Sequence, residues 1–248
     1  MDFAHGAALA GAAVLGGAIN SVAGGGSFIT FPTLIFVGVP PISANATNNA
    51  AMWVGVLGSA RGYKREIREH RKVLLAPALF SVVGALIGAV LLLRTPPTLF
   101  EKLIPYLLLF ATLVFALSPL FTRERRDVRR HSPTQLALQF VVAIYGGYFG
   151  AGIGILMLAI LAFSGLPNLN AMNGVKNALS VAINGVALVP FILARIIDWP
   201  VALLMAVFAL IGGYAGSRFF RLVPSRVTRA LVIALGVAMT SYFFLRAH

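Results

Sequence analysis

The sequence predicts an all-α integral membrane protein, and three observations carry that prediction. Hydrophobic residues make up 59% of the 248 residues and charged residues only 11%, where soluble domains carry about 25% charged residues. Charge is also absent over long stretches: no Asp, Glu, Lys or Arg lies between Asp2 and Arg61, and only Lys176 lies between Arg130 and Arg195. Such stretches exceed the roughly 20 apolar residues that cross a bilayer. Finally, the basic residues behind the net charge of +13 fall in short runs between apolar segments. That is the distribution of cytoplasmic loops, not of a nucleic-acid-binding face, so the lipid bilayer is the expected partner and nucleic acid is not.

Helical segments are predicted at Ala4 to Val37, Ser43 to Ala60, Val73 to Leu93, Leu103 to Phe121, Thr134 to Phe163, Ala171 to Ala194, Val201 to Phe220 and Thr228 to Leu245. The amino terminus is apolar but lacks a cationic leader, so it is expected to belong to the mature fold. The first and fifth segments are the longest. As continuous helices they would reach about 45 to 50 Å at 1.5 Å per residue, well beyond a hydrocarbon core of about 30 Å. Each carries a glycine cluster near its middle, Gly24-Gly25-Gly26 in one and Gly146-Gly147 with Gly150, Gly152 and Gly154 in the other. Glycine costs a helix interior about 1 kcal/mol, so a break in each is expected.

These two segments resemble each other. Gly25 aligns with Gly152, Ser27 with Gly154, Gly38 with Gly165, Pro40 with Pro167 and Ala44 with Ala171 at one offset; one inserted residue later, Asn45 aligns with Asn173, Asn49 with Asn177 and Ala50 with Ala178. Each opens a block of four segments, which suggests internal duplication. The predicted organisation is a first transmembrane repeat over 1–122, a basic cytoplasmic linker over 123–133 and a second repeat over 134–248.

Charge sets the orientation. Basic loops run from Arg61 to Lys72 and from Arg123 to Arg130, with a further cluster at Arg218, Arg221, Arg226 and Arg229. All three face the cytoplasm only if the fifth segment returns to the face it started from. Each half then holds one returning element and three full spans, an odd number, so the halves insert from opposite faces as an inverted repeat with both termini outside. Re-entrant hairpins and pairs of short crossings satisfy this parity equally.

Irregular backbone at membrane depth is tolerated only where protein or a wet cavity covers it, which makes the breaks candidate binding sites. A helix starting after Gly24, Gly25, Gly26 and Ser27 would aim free N–H groups and a positive dipole end at the break, and the helix near Gly152 and Gly154 would do so from the other half. The alternative is that glycine only permits close helix packing. Lys176 sits in an otherwise uncharged segment beside Asn173, Asn177, Ser180 and Asn184, which at helical spacing form one polar stripe. A lysine at the centre of a membrane helix costs about 2.5 to 3.5 kcal/mol or more, so it is a candidate for offsetting substrate charge; the alternative is snorkelling to the interface. The equivalent stretch in the first half supplies Asn45, Thr47, Asn48 and Asn49 as hydrogen-bonding groups, with helix capping and interhelical bonding as their alternative role. Asn20 and Ser21 are weaker candidates. Trp53 is expected to pack and Trp199 to anchor at the interface.

Every carboxylate, namely Asp2, Glu66, Glu69, Glu101, Glu124, Asp127 and Asp198, lies in or beside a predicted loop, which argues against an intramembrane carboxylate relay. Cysteine is absent. No metal site, cofactor or catalytic constellation is recognisable, so the protein is not expected to be an enzyme.

The string AGGGSFITFPTLIFVGVPPISANATNNAA, with its degenerate second copy ending in NGVKNALS, resembles the TauE/SafE sulfite exporter family. The match lies at Gly24 to Ser27, Asn45 to Asn49 and Lys176 to Asn177, whereas Ile153 and Ile155 make the second glycine cluster less regular. The resemblance implies transport of sulfite, sulfoacetate or a related organosulfur anion across the inner membrane of a prokaryotic cell. The expected function is a secondary transporter that moves a small anion by alternating access, with a proton or sodium ion as candidate coupling partner. An anion channel is the alternative, and an intramembrane enzyme a more remote one.

Overall fold

The computed structural model describes residues 2–121, 132–219 and 225–246, and within them all regular structure is helical. The first apolar segment comprises α1 (Phe3–Val22) and α2 (Ser27–Phe36), and the second is α3 (Pro41–Gly62). A short α4 (Lys64–Glu69) leads to α5 (Arg71–Arg94) and α6 (Pro97–Phe121). The fifth segment comprises α7 (Pro133–Tyr148) and α8 (Ile153–Leu161), followed by α9 (Leu169–Leu193), α10 (Trp199–Phe219) and α11 (Ser225–Arg246). The loop from Arg123 to Arg130, most of the predicted linker and Arg221 lie outside the described residues.

Local chemistry sets many of these boundaries. Asp2 caps α1 by accepting from the His5 amide at 2.8 Å. Ser132 and Gln135 form a reciprocal capping box at α7, with Pro133 at its first position. Asn168 accepts from the Ala171 amide at 2.9 Å to start α9, and Pro41 opens α3, where its missing N–H costs nothing.

Glycine and alanine bring the helix backbones close together. Gly17 of α1 lies against Ala209 and Gly213 of α10, and Gly216 against Ala18, so these two helices run parallel. The same helix α10 packs on α3, where Gly55 meets Ala209 and Gly58 meets Leu210. On the other side α5 packs on α7 in parallel, Gly84 beside Phe140 and Gly88 beside Ile144, and also touches α9. Helices α3 and α9 run antiparallel: Trp53 donates to the Val181 carbonyl at 3.0 Å, while Glu66, beyond the end of α3, lies by Gly174. Helix α6 packs on α8 and α11, and α11 on α2. The short helices fold back on their predecessors. A methyl on Gly16 of α1 would stand 2.6 Å from Thr30 of α2, and Gln135 at the start of α7 reaches the Phe163 carbonyl beyond α8 at 2.8 Å.

Five helices of the described structure are long and apolar enough to cross a membrane: Phe3–Val22, Arg71–Arg94, Pro97–Val114, Leu169–Leu193 and Trp199–Phe219. Four of the six full spans expected from sequence, α5, α6, α9 and α10, are among them, the fifth being α1 of an expected returning element; α3 and α11 fall outside for identifiable reasons. Helix α3 has 22 residues but carries Asn45, Thr47, Asn48 and Asn49. All four are buried within the protein, which is what lets so polar a helix lie at the centre of the bundle. In α11 the apolar stretch among the residues whose side chains are described is Ile233–Leu245. Large side chains such as Leu75, Val141 and Leu203 are exposed at the periphery, as expected where hydrocarbon is the solvent.

Candidate functional site

The two glycine clusters, 130 residues apart at Gly24 and Gly154, meet in space. Gly24, at φ +81°, sits so close to the second cluster that a methyl on it would stand 2.5 Å from the Cα of Gly154. Gly152, at φ +76°, faces Phe28 and Ala111. Within the described residues, the amides of Gly25, Gly26 and Ser27 donate to no protein acceptor, and neither do those of Gly152 and Gly154. Both short helices therefore begin at this junction with unpaired donors, the arrangement that favours an anion.

Lys176 lies beside this junction on α9 and is 1% exposed. Its stem passes Gly154, where an added methyl would stand 3.3 Å from the lysine Cδ. The ammonium donates to the carbonyl of Asn20 at 2.7 Å and to that of Ser21 at 3.1 Å. Asn177 donates from its Nδ2 to the Ser21 carbonyl at 3.2 Å. These carbonyls belong to the last turn of α1, where the helix dipole is negative; that of Asn20 also accepts from the Gly24 amide at 3.2 Å, and among the described residues no backbone amide donates to that of Ser21. The lysine is thus held inward and does not snorkel.

The first half reciprocates. Asn45 of α3 donates from Nδ2 to the Tyr148 carbonyl at 3.0 Å and so caps the end of α7. Each central helix, α3 and α9, supplies side-chain donors to the broken helix of the other half. Asn48 turns to its own half: it donates to the Ser27 hydroxyl at 3.1 Å and accepts from the Thr30 hydroxyl at 2.5 Å, fixing the start of α2 against α3. Thr47 accepts from the Asp198 amide at 3.0 Å and ties α3 to the α9–α10 loop. The polar stripe of Asn173, Asn177, Ser180 and Asn184 is buried throughout. The side-chain carbonyls of Asn49, Asn173 and Asn177 are buried and make no hydrogen bond within the protein.

Two contributors carried no sequence signal strong enough to be singled out. Thr30, one turn after Ser27, completes the Asn48 pairing. Tyr145 donates to the Ala151 carbonyl at 2.8 Å and approaches the Leu107 carbonyl at 3.3 Å, bracing the second break against α6. Its place among glycines marked a crowded helix but not that partner. Among the described residues no group of His, Asp or Glu is placed to hold a metal ion.

Two cavities flank the loops that follow the short helices. One of about 480 Å³ is lined by Gly38, Pro40, Pro41, Glu101, Lys102 and Phe243 among others. The other, about 220 Å³, lies among Arg65, Glu66, Glu69, His70, Pro167 and Asn168. Pro40 and Pro167 are the aligned prolines of the two copies, so the cavities occupy corresponding places.

Known proteins place the chain among transporters. It is 30% identical over 234 residues to the probable membrane transporter protein ORF9 of a Sinorhizobium species, covering 92% of this chain and 88% of that one. It is 28% identical over 240 residues to the probable membrane transporter protein YfcA of Escherichia coli, covering 95% and 88%. A probable membrane transporter protein of Haemophilus influenzae is 27% identical over 232 residues, covering 90% and 88%. No solved structure matches the chain at a significant level. The family model described as sulfite exporter TauE/SafE matches residues 9–243, and on that match the chain belongs to the TauE/SafE family of membrane transporters.

Proposed function

We propose that the protein is a secondary carrier for a small anion, sulfite or a related organosulfur anion, acting by alternating access in the inner membrane of a prokaryotic cell. One observation carries the reading: α2 and α8 both begin, with unpaired amides, where Gly24 and Gly154 meet beside the buried Lys176. Two helix N-termini and one ammonium converging in a low-dielectric interior favour negative charge. The anion would bind to the amides of Gly25, Gly26 and Ser27, to those of Gly152 and Gly154, and to Lys176, while Gly24, whose own amide is bonded to the end of α1, gives the close backbone approach. Asn49, Asn173 and Asn177 would orient it through their amide groups. Asn45, Thr47 and Asn48 already have protein partners, so they position the backbone around the site. A proton or sodium ion is the proposed coupling partner.

The proposed architecture is an inverted repeat of 1–122 and 134–248 joined by the basic linker, with both termini outside and the short helices re-entrant. The packing pattern supports it. Exchanging α1 with α7, α2 with α8, α3 with α9, α5 with α10 and α6 with α11 converts the contacts of α10 on α1 and α3 into those of α5 on α7 and α9. It likewise converts α11 on α2 into α6 on α8. The antiparallel run of α3 and α9 is the relation required of inverted counterparts. Two such halves, each bracing the other, are suited to rocking about a shared site.

Flux into liposomes tests the function. Purified protein is expected to give saturable uptake and counterflow with sulfite or sulfoacetate, compared against sulfate and taurine. A non-saturating current without counterflow would make the protein a channel, and absence of flux with all four would sink the organosulfur reading.

A further inference from the structure

The buried ammonium has a place in this fold that anion binding alone does not require. Asn48 and Lys176 stand at aligned positions of the two copies, between the aligned pairs Asn45 with Asn173 and Asn49 with Asn177. Asn48 bonds Ser27 of its own half. The residue aligned with Ser27 is Gly154, which offers no hydroxyl, and the longer Lys176 passes over it to the carbonyls of Asn20 and Ser21 in the other half. The substitution has converted a bond within one half into a bond between halves. It sits at the place where the two glycine tips touch backbone to backbone.

From this we infer that Lys176 is a latch between the halves, closed when its ammonium caps the end of α1 and released when an anion takes the ammonium. The inference rests on the anion reading above and adds the event that couples binding to movement. Two of the three ammonium donors are held by neutral carbonyls. An anionic oxygen is a stronger acceptor, by about a factor of two per bond. The anion therefore draws the ammonium away, leaving the Asn20 carbonyl without its side-chain donor and Ser21 held by Asn177 alone. With that tie gone, the neutral Asn177 bond to Ser21 and the van der Waals contact of Gly24 with Gly154 are what hold the end of α1 to the second half here. A ligand that binds the released arrangement more tightly shifts the population toward it.

The absence of cysteine allows a clean test. Asn20→Cys places one thiol at the tip, where the Asn20 Cβ lies beside Gly26, and labelling by a maleimide in detergent reports opening. With Lys176 present, labelling is expected to be slow and to quicken on adding sulfoacetate. In Asn20→Cys with Lys176→Met it is expected to be faster by roughly tenfold or more without anion, the factor one lost charge-assisted bond supplies, and indifferent to sulfoacetate. Lys176→Gln, which keeps a donor but no charge, should fall between, and it serves if the Met variant is not monodisperse. Equal, slow labelling of all three proteins would overturn the latch. Direct measurement of sulfoacetate binding separates the two levels: binding without acceleration refutes the latch and leaves the carrier reading standing, whereas absence of binding refutes the anion reading itself.

Discussion

The contact between Gly24 and Gly154 makes Gly24→Ala an informative perturbation, because two costs meet in one residue and a second glycine separates them. At φ +81° an alanine suffers about 1–2 kcal/mol of backbone strain. Its methyl would also stand 2.5 Å from the Gly154 Cα, and overpacking against backbone adds about 1–3 kcal/mol. Gly38 has φ +91° but nothing within 4 Å of the added methyl, so Gly38→Ala carries the strain alone. Gly11 lies inside α1 with open space around it, and Gly11→Ala should stabilise by about 0.5–1 kcal/mol. Melting followed by the fluorescence of Trp53 and Trp199 is expected to rank the variants Gly11→Ala, wild type, Gly38→Ala, Gly24→Ala. At about 2–4 °C per kcal/mol, the last two should differ by roughly 2–12 °C. Coincident melting of Gly38→Ala and Gly24→Ala would refute the contact between the tips, and with it the meeting of the two breaks.

Three further outcomes follow from the same geometry. Asn48→Leu strips the Ser27 and Thr30 hydroxyls of a shared partner and should destabilise by about 1–3 kcal/mol; adding Ser27→Ala should recover part of the melting temperature, and simple additivity of the two changes would refute the pairing. The Arg65 hydrogen bond holds the Glu69 carboxyl below its ordinary pKa, so any stabilisation is present above the unfolded value and lost as pH falls through the folded one. Both side chains are well exposed, so Glu69→Gln should leave melting unchanged at neutral pH, and a clear drop would mean that α4 is held by that pair. Reporters fused at the two ends are expected to read outside the cytoplasm, while one inserted between Arg61 and Lys72 reads inside; termini on opposite sides would break the inverted repeat.

Composition and charge spacing alone determine that the chain is a membrane protein, because a bilayer selects for length and apolarity, and both can be read residue by residue. The starts of α3, α7 and α9 lie within two residues of those expected at Ser43, Thr134 and Ala171, and the signals that set them are local: Pro41 at the first position of α3, and caps at Ser132 and Asn168 within three residues of the backbone they serve. Gly24 to Gly26 fall between α1 and α2, and Gly150 and Gly152 between α7 and α8, for a similarly local reason, the low helix propensity of glycine, whereas Gly146, Gly147 and Gly154 lie within α7 and α8 and serve close packing. The partners of the polar residues were not accessible. Successive residues of a helix point about 100° apart, so one run from Asn45 to Asn49 is shared among α7, α2 and the α9–α10 loop. Lys176 was conspicuous as a charge in an apolar segment, yet what it meets is a pair of backbone carbonyls 156 and 155 residues away. Every residue carries such a carbonyl, so no side-chain pattern distinguishes Asn20 and Ser21 as acceptors. Only the packing of α9 against the end of α1, through the gap that Gly154 leaves for the lysine stem, decides that these two are within reach.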